Sequence, residues 1–173
     1  MKKPRRDGIS PGEESTEVNS QPKSDLTQEW WSQWEYNDGG RAAAGFKGYT
    51  GDCACRAVAI ATEQPYKIVY DALNSQLASM RQTKGIKRSS SRTGMNRRAM
   101  RKYMEKIGWE FVPLMGIGTG CKIHLRGSEL PMGRIICQVS RHVVAAIDGV
   151  IHDTGDCSRE GTRCVYGYYQ KAK

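Results

Sequence analysis

No run of this chain approaches the roughly 18 to 20 consecutive apolar residues of a bilayer span, so no transmembrane helix and no membrane partner are expected. The opening MKKPRRDGISPGEES is basic but has no apolar stretch behind it, so it does not read as an export signal. A cytoplasmic protein is therefore expected. In that setting the six cysteines, Cys53, Cys55, Cys121, Cys137, Cys157 and Cys164, are expected as free thiols rather than as three disulfides. Residues 1 to about 27 have almost no large apolar side chains and cannot offset the entropy of ordering, so they read as a flexible tail. Acidic residues are missing from 81 to 102, where Arg81, Lys84, Lys87, Arg88, Arg92, Arg97, Arg98, Arg101 and Lys102 make an unrelieved basic stretch.

What is present suits one compact domain with a polar extension: 173 residues, 38% hydrophobic, mean hydropathy -0.63. Residues 1–50 hold 7 Lys/Arg against 8 Asp/Glu and the remainder 20 against 10, so the net +9 resides in the second part. An anionic partner, nucleic acid or acidic protein, or a solvated basic face follows from that imbalance. The expected division is a polar tail over 1–45, carrying a Trp-rich segment, and a folded domain over 46–173. Trp30, Trp31 and Trp34 stand at helical i, i+1, i+4 spacing, a patch that either folds back on the core or docks a partner.

A Gly-rich loop over 37–52 leads into the apolar run Ala54 to Ala61, with Asp52 suited to cap a helix opening at Cys53. A second helix starts at Pro65, with Tyr66, Val69, Tyr70, Leu73 and Leu77 on one face. A third buries Met95, Ala99, Tyr103 and Ile107. From Trp109 the pattern changes to short strands at 110–114, 134–139, 141–147, 150–154 and 163–169. Helices first and strands afterwards is an α+β order.

Cys53 falls where unpaired N–H groups and the helix dipole depress a thiol pKa. Cys55 lies about 200° further around the helix and must face elsewhere. A second candidate comes from the hairpin RHVVAAIDGVIHDT, where Asp148-Gly149 is a strong two-residue turn. With that turn 147 pairs with 150 and 145 with 152, so Asp153 shares a face with His142 and His152 points the other way. A bulge would exchange the roles of His152 and Asp153. The pattern is that of a nucleophile, a base and a carboxylate orienting the base.

Gly51-Asp52-Cys53 opening a helix, His142 opening a strand and Asp153 after the next strand resemble the papain-like cysteine peptidases, nearest the type that processes bacteriocin leaders. The resemblance covers roughly residues 48 to 154. It implies a papain-like α+β fold with N-terminal helices packed on a C-terminal antiparallel sheet. It also implies attack on an amide of a protein or peptide through Cys53, His142 and Asp153, with neither cofactor nor metal. The family's oxyanion Gln, about six residues before the Cys, is replaced by Lys47, which leaves Thr50, Asn37 or Gln33 to serve. The overall texture is also similar to small proteins of bacterial viruses, which places the protein in a bacterial host cell or a virion.

Other readings stand beside this one. Zinc could be held by Cys121 and His124 with Cys157, Cys164 or His152, although the spacing fits no standard paired-knuckle pattern. The basic stretch could meet phosphates, but it lacks interleaved aromatics. Met115 to Gly120 lacks the Lys-Ser/Thr of a phosphate loop and reads as a flap beside the cleft. The alternative class is a non-catalytic interaction protein that binds a host protein or nucleic acid through its basic face and Trp segment.

Overall fold

The computed structural model describes residues 33–81 and 89–173, so Trp30, Trp31, Lys84, Lys87 and Arg88 lie outside the described residues. Helix α1 (Cys53–Thr62) is Ala-rich and buried on almost every side, with Arg56 as a lone charge in an apolar run. It ends where Glu63 turns left-handed at φ 56°. Helix α2 (Tyr66–Ala78) follows Pro65 and buries Tyr66, Val69 and Leu73. Helix α3 (Arg97–Lys106) opens on Asn96, whose side chain accepts from the Arg98 and Ala99 N–H groups, and it buries Ala99, Met100, Tyr103 and Met104. Tyr66, Val69, Leu73, Ala99 and Tyr103 are buried as the 3.6-residue period predicts, whereas Met95 and Ile107 fall outside α3 and are only partly buried, and Met100 and Met104 complete its buried face.

The strands are β1 (Trp34–Tyr36), β2 (Trp109–Pro113), β3 (Arg134–Val139), β4 (His142–Ile147), β5 (Val150–Asp153) and β6 (Val165–Lys171). They form one sheet in the order β1-β5-β4-β3-β6-β2. Period-two alternation divides the core. Ile136, Ala145 and Tyr169 face the helices, while Ile135, Val139, Val144, Ala146, Ile151 and Val165 face Leu125, Leu130 and Ile123 on the other side. Gly167 in β6 has no room for a side chain, because an added Cβ would meet the Val112 carbonyl at 2.7 Å and the Phe111 ring.

Four expectations are corrected. The sheet is mixed, because β1 pairs with β5 in parallel. Trp34 sits in that strand rather than in a helix, since a three-residue element paired along its backbone needs no helical period. The folded unit thus reaches back before residue 46, with the Ile151 N–H donating to the Gln33 carbonyl at 2.8 Å. The third correction concerns the cysteines. An antiparallel bridge between His124 and Cys164 brings Cys121 to a Cα separation of 5.7 Å from Cys164, and the two form a disulfide. That pairing uses two sulfurs of the suggested zinc set.

The fourth concerns the glycine-rich loop 115–120, which follows β2 and is held to β6 by Leu114 and Met115 N–H bonds to the Tyr166 carbonyl. It lines neither of the cavities that meet at His142. Among the described residues no helix is long and apolar enough to cross a membrane.

Candidate active site

The Asp148-Gly149 turn adopts two left-handed residues, φ 49° and 83°, which fixes the hairpin register. Ile147 pairs with Val150, Ala146 with Ile151 and Ala145 with His152. Asp153 is thereby brought to the His142 side, and His142 Nε2 lies 2.6 Å from Asp153 Oδ2. His152 faces away and lies 3.9 Å from Glu35. The carboxylate of Asp153 also accepts from the Thr154 N–H at 2.7 Å and from Arg56 Nη2 at 3.2 Å.

Cys53 opens α1 and lines the same cavity as His142, whose imidazole lowers the pKa of its thiol. Burial alone would push this thiol up. The His142 hydrogen bond and charge, the Val143 N–H and Arg56 outweigh burial and hold it below its ordinary 9.0. Burial would likewise push the His142 imidazole down, but its bonds to Asp153, Cys157 and Cys53 raise it above 6.5. Asp153, whose burial works upward, is held below 3.8 by His142, Thr154 and Arg56. In all three groups the shift favours the charged form. Cys55 is fully buried, and burial pushes its thiol up to about 12, so it is packing, as its angular offset predicts.

Asp52 occupies the position before α1, yet its side chain caps nothing. Its carboxylate, 1% exposed, instead bonds Arg41 Nε at 2.8 Å, the Tyr66 hydroxyl at 2.6 Å and Arg56 Nη1. Arg56 thus links the two buried carboxylates, one preceding the thiol and one behind the imidazole. Gly39 makes this packing feasible. Its φ is 65°, and an added Cβ would stand 3.0 Å from the Arg56 carbonyl. Sequence reasoning missed Arg56, although an arginine four residues after Asp52 in an otherwise apolar helix was the available signal. It also missed Cys157, whose thiol, with Asp153 and His142, belongs to one group of ligand-type atoms all within 4.8 Å of one another.

The three proposed oxyanion side chains are placed apart. Gln33 lies beside β1 and Asn37 accepts from the Gly39 N–H, and neither lines the cavities at His142. Thr50 lines both, but its hydroxyl is donated to the Arg92 carbonyl at 2.9 Å. None of them therefore points a free donor at the thiol. Because no side chain caps α1, its first N–H groups carry that capacity.

Of the basic stretch, Arg97, Arg98, Arg101 and Lys102 lie on α3, while Arg81 follows α2 and Arg92 sits in the loop before α3. The aromatics missing from that sequence come from the sheet. Arg101 stacks on Phe111 at 4.4 Å and Arg97 faces Tyr166 at 6.0 Å. Two cavities meet at His142, one of about 930 Å³ on the Asp153 side and one of about 420 Å³ on the Cys53 side. Compared with protein-family models, curated proteins and solved structures, the chain matches none.

Proposed function

We propose that this protein is a papain-like cysteine hydrolase that cleaves an amide bond of a protein or peptide through Cys53, His142 and Asp153. One observation carries the reading: the His142 ring, bonded through Nε2 to a buried carboxylate at 2.6 Å, lines the same cavity as the Cys53 thiol at the opening of α1. The thiolate of Cys53 attacks the substrate carbonyl carbon, forming a C–S bond and moving the C=O electron pair onto oxygen. That oxygen faces the uncapped N–H groups of α1. Collapse breaks the C–N bond, and the leaving amine takes the proton of the His142 imidazolium. The neutral imidazole next takes a proton from water as its oxygen attacks the thioester. The C–S bond breaks and the thiolate–imidazolium pair is restored. Asp153 holds the ring in place and Arg56 keeps Asp153 ionised.

The test is iodoacetamide labelling of the native protein across pH, with the modified sites assigned by mass spectrometry, in wild type and His142→Ala. The expected result is fast labelling at Cys53 that sets in below pH 9. In His142→Ala the onset moves to higher pH, because burial is then less opposed. Slow labelling spread over Cys53, Cys55, Cys137 and Cys157, unchanged in the variant, refutes the enzyme and favours a binding protein. Fast labelling at Cys157 alone reassigns the nucleophile.

A further inference from the structure

The cavity on the Cys53 side, about 420 Å³, contains the thiol, the His142 ring and Arg56, Arg97 and Arg141, and no carboxylate lines it. Arg56 is neutralised by Asp52 and Asp153. Arg97 and Arg141 form no ion pair among the described residues. Gln138, 8% exposed, lines the same cavity and brings an uncharged amide to it.

Arg141 adds a backbone observation. It precedes His142 directly, in the turn between β3 and β4, and has φ 56°. That left-handed conformation suits Gly and strains other residues. A guanidinium is therefore held at a strained position beside the base, lining both cavities. The larger cavity differs in kind, because Asp38, Asp52, Asp153 and Asp156 line it alongside its arginines. Only the Cys53 side is cationic without relief.

We propose that this cavity is the specificity pocket for a carboxylate side chain, a Glu or Asp flanking the scissile amide, received by Arg97 and Arg141 with the Gln138 amide as a further donor. Arginine suits this task because its planar fork matches a carboxylate with paired, charge-assisted hydrogen bonds. The inference rests on the amide-hydrolase reading, so its test is made independent of turnover.

The full chain carrying Cys53→Ala is titrated by fluorescence anisotropy with a neutral labelled peptide in which a single Glu, or its isostere Gln, is moved one position at a time. Salt is held near 0.15 M to suppress diffuse attraction to the basic chain. The expected result is one register in which Glu binds about tenfold more tightly than Gln. Adding Arg97→Gln or Arg141→Gly reduces that preference, and Gln138→Leu weakens it. Arg98→Gln, on α3 but outside this cavity, leaves it unchanged.

Arg141→Gly also removes the backbone strain, so the protein melts no lower than its parent while selectivity falls, an outcome that a purely structural role would not give. Equal binding of Glu and Gln in every register, no peptide binding at all, or equal loss in Arg98→Gln overturns the proposal. So does displacement of the peptide by a single-stranded oligonucleotide with the same dependence on Arg97 and Arg141, which would assign the cavity to phosphates. Hydrolysis of the neutral peptide by wild type reports separately on the enzyme reading.

Discussion

Replacing Arg56 by Met keeps the length of the side chain and removes the cation that, alone among the described residues, pairs with both Asp52 and Asp153. The three side chains are 12%, 1% and 7% exposed, so the pairs are buried, and little solvent screening applies. Breaking a buried ion pair from one side costs about 3–5 kcal/mol, because the remaining charge is left in a poor solvent. Here Asp52 retains Arg41 and the Tyr66 hydroxyl, and Asp153 retains His142, which places the loss at the lower end, about 3 kcal/mol. For a chain of this length that is about 6–12 °C in melting temperature.

Urea unfolding of Arg56→Met, Asp153→Asn and the double variant measures both the loss and the coupling. A coupling between about 0.5 and 3 kcal/mol is expected. A loss below about 1 kcal/mol, the range of an exposed pair, refutes the view that Arg56 joins the two carboxylates in a buried network.

Gly39→Ala is expected to cost about 1–3 kcal/mol in unfolding free energy, since the new methyl must sit at φ 65° and 3.0 Å from the Arg56 carbonyl. A neutral result places the loop away from α1. Cys121→Ser with Cys164→Ser opens a closure of 43 residues and removes about 3–4 kcal/mol by chain entropy, read from denaturant midpoints under non-reducing conditions. An unchanged midpoint means the bond is not formed. His142, raised above 6.5, contributes stability that is complete below that pH and is lost as pH rises through its folded value. His142→Gln therefore shows a shallower alkaline fall in melting temperature, and equal slopes refute the charged imidazole.

The hairpin was legible because Asp-Gly settles the turn, the turn settles the register, and the register separates His142 and Asp153 from His152. The helices were legible because Val69, Leu73, Ala99 and Tyr103 repeat at the helical period. Strand β1 was not, because three residues are too few to show a period and Trp34 follows two tryptophans at helical spacing. Asp52 misled for a related reason. An acidic residue before a helix suits a cap, and only the tertiary approach of Arg41, Arg56 and Tyr66 draws its carboxylate inward. The Cys121–Cys164 pairing depends on contacts between distant segments, which local patterns do not encode.

The sheet order has a temporal consequence. β6, the last strand in the chain, lies inside the sheet between β3 and β2, and β1 is held in place by β5, so neither edge of the sheet can form early. In the proposed mechanism Cys53 is made first, while its base His142 and carboxylate Asp153 come about ninety and a hundred residues later. A growing chain therefore carries an ordinary cysteine until its last third has been synthesised and folded. On that reading reactivity arrives with the completed sheet, and the ribosome-bound chain carries no activated nucleophile.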